Sequence, residues 1–142
     1  MAKTNSSPIW IRRLSKGDLH DLIAKVKSRD LPSIARAIDF VTADSLGMWH
    51  NRARAKLCRY FKNEPPNNEQ QRRLVETIEQ RLVTGSFYEQ FKDQLGMAAI
   101  FDPAQIKQAA EIAIEDEKQY IRRYEKWVLN RIKSQDNVKN AG

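Results

Sequence analysis

Two histidines, one cysteine and one run of three carboxylates are the side chains best equipped for chemistry in this chain. His50 has the ring of a general base. Helical spacing places it near the centre of an apolar face, which favours a hydrogen-bonded, partly buried histidine over a proton-transfer group. His20 falls on the polar side of its helix, with no evident partner. Cys58 flanks a row of cations, and nearby cations lower a thiol pKa. No histidine is spaced to activate it, so a semi-buried, inert thiol is expected. Glu115-Asp116-Glu117 offers oxygen ligands to a hard metal ion. The dipole at a helix start attracts the same carboxylates without any metal. Two histidines and one cysteine are too few for a closed zinc site. There is no phosphate-binding glycine loop, no nucleophile elbow and no His-Glu-x-x-His run. The expectation is a protein that is not an enzyme and needs no cofactor or metal.

The other chemistry within reach is recognition of a polyanion. Five basic residues and no acidic ones lie between Ser45 and Asn63. On a helix, Arg52, Lys56 and Arg59 project opposite Leu57, with Lys62 beside them. Between Lys118 and Lys133 there are six basic residues and one acidic residue, Glu125. There Arg122, Lys126 and Lys133 project opposite Tyr124. Charge is uneven elsewhere too. Residues 1–29 hold seven basic and two acidic side chains, whereas Met97–Glu117 holds one basic and five acidic. An arginine fork donates two hydrogen bonds to one phosphate, so a cationic helix face can track a nucleic-acid backbone. The rival reading is an ordinary solvated face, because any surface helix shows a charge stripe.

Aromatic residues could supply stacking platforms for bases. The spacing of Trp49, Tyr60, Phe61, Tyr120, Tyr124 and Trp127 points instead to the core. Trp10 and Tyr88 are the aromatics expected at the surface. Trp10-Ile11-Arg12-Arg13 reads either as a short amphipathic arm or as a segment folded back over the first helix.

These side chains must be held by helices, because helical periodicity and start signals run through the chain. Leu19, Leu22, Ile23 and Val26 mark a first helix, capped by Ser15 with Asp18 three residues on and stapled by Leu14 and Leu19. A second starts around Asp30–Pro32 and carries Ile34, Ala37, Ile38 and Val41. A third spans about Met48 to Lys62 and stops before the Pro65–Asn68 loop. A fourth follows an asparagine cap and ends at Gly85. Ser86 and Glu89 then suggest a capping box for a fifth, with Phe87, Phe91, Leu95 and Ala98 inside. Asp102-Pro103 starts a sixth. A break near Asp116 precedes a seventh. No alternating run is long enough for a strand.

The last hairpin resembles the second half of a HEAT repeat. Asp116 is followed by Ile121-Arg122, then Val128-Leu129, then Ile132. Ser86, Phe91-Lys92, Leu95 and Ala98-Ala99 copy the spacing weakly. Asp44 through Leu57 does so with His50 in the arginine position. The resemblance covers about the last 100 residues. The repeat length is uneven, and the Pro65–Asn68 loop interrupts it. It implies a binding scaffold with a concave surface lined by the second helix of each pair. The catalytic residues of HEAT-like DNA glycosylases find no counterpart here.

The expected architecture is all-α, with six or seven short amphipathic helices. They form either stacked antiparallel hairpins or a compact helical bundle. Residues 1–14 form an N-terminal arm, 15–134 one helical domain, and 135–142 a polar tail. With 142 residues, 41% hydrophobic and 30% charged, the chain can bury a substantial core. No apolar run reaches the roughly 18–20 residues that span a bilayer, and no secretory leader is evident. One cysteine fits a reducing cytoplasm. The net charge of +7 permits an acidic partner. The favoured function is non-catalytic binding of a nucleic-acid phosphate backbone, DNA or RNA. The alternative is a protein–protein interaction module docking an acidic partner, with no membrane contact.

Overall fold

Ser15 opens the first long helix through a reciprocal pair of bonds. Its hydroxyl accepts the Asp18 amide at 3.1 Å, and the Asp18 carboxylate accepts the Ser15 amide at 2.9 Å. The bond from the Ser15 amide holds the exposed Asp18 carboxyl below the usual carboxylate range. The same logic of caps and stops sets most other helix ends in the computed structural model, which describes residues 7–87, 90–113 and 125–135.

These residues form eight helical segments and no strand. A single turn, α1 (Ile9–Arg12), precedes α2 (Lys16–Lys27). Asp30 caps α3 (Leu31–Thr42), accepting the Ser33 amide at 3.2 Å. Gly47, at φ 125°, supplies the left-handed residue that redirects the chain into α4 (Met48–Asn63). Asn67 and Gln70 form a second capping box at the start of α5 (Asn68–Thr84). Asp102 caps α7 (Pro103–Ala113) by accepting the Gln105 amide at 3.1 Å. The last segment, α8, is helical over residues 125–135.

One boundary differs from the sequence expectation. The helix expected to start after Ser86 is α6, Phe91–Phe101, and Gln90 precedes it in a left-handed conformation at φ 69°. Ser86 belongs to the preceding helix end. Gly85 closes α5 at φ 71°, and the Ser86 amide donates back to the Arg81 carbonyl at 3.0 Å. Glu89 lies outside the described residues. Phe87 stays non-helical and stacks on Phe91, with ring centroids 4.3 Å apart.

The helices alternate between two rows. Packing runs from α2 to α4 to α6 in one row, and from α3 to α5 to α7 in the other. One core lies between the rows, with Phe40, Leu57, Phe61, Leu74, Ile78, Leu82, Leu95 and Ile106 fully buried. Val128 and Ile132 of α8 join it. The N-terminal segment packs onto this body as well. Ile11 is buried, and Trp10 lies under the Arg36 guanidinium of α3 at 4.6 Å. Ser7 accepts the Asp44 amide at 3.1 Å. The segment therefore folds back, as expected, but the contacts of Trp10 and Ser7 are to α3 and the loop after it rather than to the first helix.

Caps of this kind have a measurable weight. Asp102→Ala is expected to destabilise the protein by about 1 kcal/mol, since it leaves an α7 amide without its acceptor. Thermal unfolding should show a midpoint lower by a few degrees. An unchanged midpoint contradicts the capping role.

Candidate nucleic-acid interface

The outward side of α4 follows from its sequence at about 100° per residue. Taking Arg52 as zero, Lys56 and Arg59 fall within about 40° of it, whereas His50, Leu57 and Phe61 fall about 140–180° away. Burial follows that division. Arg52, Lys56 and Arg59 are exposed, and His50, Leu57 and Phe61 are buried. Lys62 is half-buried on the flank. The four expected cations of this helix thus share one side, bordered by α2 on one edge and α6 on the other.

They are not equally available. Arg59 donates to Asp93 of α6 at 2.8 Å, so its charge is already met. Arg52 and Lys56 have no carboxylate partner among the described residues. A solvated cation without a local counter-charge loses little when it meets a phosphate.

Trp49 is the main correction to the sequence reading. It was expected in the core, yet 39% of its surface is exposed. Its angular position is about 60° from Arg52, at the margin of the apolar face rather than its centre. Lys16 Nζ stands 4.2 Å from the indole centroid, and Arg52 Cζ stands 5.3 Å from it. Trp49 borders a groove of about 410 Å³ between α2 and α4, shared with Lys16, His20, Asp21, Arg52 and Lys56. Lys16 and Asp21 join the site only through the packing of α2 on α4. The two stand about 140° apart around α2, so no single stripe of that helix joins them.

The second expected stripe is only partly described. Arg122 lies outside the described residues. Lys126 and Lys133 are exposed on α8. They sit about 100–120° around that helix from Trp127, on the opposite flank from its contact with α6. The α8 residues at the contact are Trp127 and Arg131, both facing Gly96. Arg131 Cζ and Lys92 Nζ lie 5.5 and 5.7 Å from the Trp127 ring centroid. Along the α4–α6–α8 line the cations that continue from Arg59 are therefore Lys92 and Arg131. Trp127 is half-buried, in partial agreement with its expected core placement. Tyr88, Tyr120 and Tyr124 lie outside the described residues.

Beneath this face sits a group of buried charges, Arg54 and Arg81, that are not part of the stripe. Arg54, about 200° from Arg52, points inward and is 4% exposed. It donates to the Ser45 carbonyl at 2.6 Å and to Asn51 at 3.2 Å, and its Cζ lies 4.9 Å from the Phe40 ring centroid. Burial, with Arg81 nearby, lowers its pKa to about 10, so it remains a cation at neutral pH. Arg81 is also lowered by burial. It ties α5 to the loop after α3 through the Ala43 carbonyl at 2.9 Å, and to α6 through Gln94 at 2.8 Å. Asp44 stands 3.8 Å from it.

His50 is saturated by this arrangement. Nε2 donates to the Leu14 carbonyl at 2.9 Å, and Nδ1 bonds the Ser45 hydroxyl at 2.7 Å. That hydroxyl also accepts from Arg54. A ring with both nitrogens engaged inside the fold locks the α2 start to the start of α4.

Cys58 is fully buried, and burial pushes its thiol up to about 12. The neighbouring cations therefore do not produce a reactive thiolate. Native protein at neutral pH should resist maleimide, and the unfolded protein should take up one equivalent. Rapid labelling of folded protein contradicts this burial. An unfolded thiol ionises near 9.0 while the folded one keeps its proton. Cys58 thus lowers stability as pH rises above about 9.

Among the described residues, no group of three or more His, Cys, Asp or Glu could hold a metal ion. Glu115, Asp116 and Glu117 lie outside them. Among the described residues, no helix is long and apolar enough to cross a membrane. No family model, no curated protein and no solved structure matches this chain.

Proposed function

We propose that this protein binds the phosphate backbone of a nucleic acid along the outward side of α4 and carries out no catalysis. The observation that supports this most is the pairing of two exposed cations, Arg52 and Lys56, that have no acidic partner among the described residues. They stand beside an exposed indole. Cations interleaved with an aromatic ring suit a ligand that alternates phosphates with planar bases. The non-catalytic part rests on the saturated His50 and the buried Cys58. The alternating rows of helices suit a HEAT-like stack, which we propose as the scaffold, with α4 among the second helices that line its concave side. A reduced, buried thiol suits a cytoplasmic setting.

Fluorescence anisotropy with labelled single-stranded DNA, duplex DNA and structured RNA tests the proposal. At least one probe should bind at low salt, and binding should weaken as salt rises. Absence of binding to all three at low salt removes the proposal.

A protein-docking role has one observation in its favour. Leu46 and Met48, each 58% exposed, stand at the start of α4 next to Trp49. An acidic protein partner captured through this corner, and lost in Leu46→Ser/Met48→Ser, would move the α4 cations to that role.

A further inference from the structure

Trp49 gives the proposed interface more than charge. We propose that the groove between α2 and α4 is a stacking site for one unpaired nucleobase, so that the nucleic acid held here is single-stranded. This rests on the phosphate-binding reading of the α4 face and names the class of ligand that reading leaves open.

Three observations carry it. First, an indole 39% exposed beside the outward cations of α4 has apolar surface that the fold itself leaves uncovered. A base laid on it removes that surface from water and stacks as well. Second, the ring is attended by Lys16 Nζ at 4.2 Å and Arg52 Cζ at 5.3 Å. An exposed ammonium over an aromatic ring is a weaker contact than a base stacked on indole. The incoming base displaces Lys16, which then meets a flanking phosphate. Third, the groove contains a carboxylate, Asp21, as well as cations and His20. A carboxylate is a poor neighbour for a phosphate but accepts hydrogen bonds from the N–H edge of an unpaired base. A groove built for the backbone alone has no use for it.

The geometry also selects against a duplex. In paired nucleic acid both faces of every interior base are covered by its neighbours, so none is open to an indole. The groove, at about 410 Å³, is of the size that takes a small planar ligand.

The test compares three probes of matched length: fluorescein-labelled oligothymidylate, the same strand annealed to its oligoadenylate complement, and a labelled abasic strand with the same phosphates. Wild-type protein should bind oligothymidylate roughly 5- to 100-fold more tightly than the abasic strand. It should also bind the duplex more weakly than oligothymidylate. Trp49→Leu should lose that preference while binding the abasic strand like wild type, with an unchanged circular dichroism spectrum. Trp49→Phe keeps a ring and should retain most of the preference. Equal wild-type affinity for the three probes overturns the stacking site and leaves the phosphate reading standing. So does a Trp49→Leu protein that keeps the full preference. Failure of wild type to bind any of the probes removes the phosphate reading, and the stacking site with it.

Discussion

Phe40→Ala is expected to destabilise the protein by about 3–5 kcal/mol, as large-to-small changes at buried rings do. Phe40 is completely buried. Its ring meets His50 edge-on, with centroids 5.3 Å apart, and lies against the Arg54 guanidinium at 4.9 Å. Removing it leaves a cavity beside a buried cation whose Nε has no hydrogen-bond partner among the described residues. That combination links α3 to the start of α4, so the loss should reach the interface as well as the core. Domains of this size have about 5–15 kcal/mol of stability in all, so the change takes a large share of it. Phe40→Leu keeps most of the volume and loses the π face, and should cost clearly less. Guanidinium unfolding of the two variants measures both. A loss below about 1 kcal/mol for the alanine variant contradicts this packing.

Arg52→Gln/Lys56→Gln should fold normally and lose nucleic-acid affinity by roughly five- to tenfold per lost contact near 0.1 M salt. The loss should be the same across sequences, because phosphate contacts position a ligand without reading it. Lys126→Gln/Lys133→Gln should lose less. Those lysines sit on the flank of α8 turned away from α6, outside the line that runs from Arg52 towards Arg131. Anisotropy titrations of both variants on one oligonucleotide decide between the two faces. A larger loss for the α8 variant would place the interface elsewhere.

Legibility varied with the range of the determining interaction. The Ser15–Asp18 box, the Asn67 cap, Gly85 and Asp102 are each set by contacts within a few residues, and the sequence announces them. The α6 start depends on how α5 ends, because the Ser86 amide returns to Arg81. Two local signals competed there, and the helix stop won. On the outward side of α4, the exposure of Arg52, Lys56 and Arg59 was readable from angular position alone. The engagement of Arg59 by Asp93, 34 residues away, was not. Trp49 is a residue on the margin of an apolar face, and its exposure is decided by how closely α2 approaches. The same holds for Lys16 and Asp21, whose side chains acquire a common groove only when two helices meet. Arg54 is one of the five cations of its stretch but not one of the stripe. Its position about 200° from Arg52 already separates it from the solvent side.

The most direct test of the phosphate contacts is the slope of log affinity against log salt, measured for wild type and for Arg52→Gln/Lys56→Gln on the same probe. Two lost phosphate contacts should flatten the slope by about 1.4 on a single strand, or about 1.8 on B-form DNA. Parallel lines for the two proteins would show that neither side chain touches a phosphate, and would contradict the interface on α4.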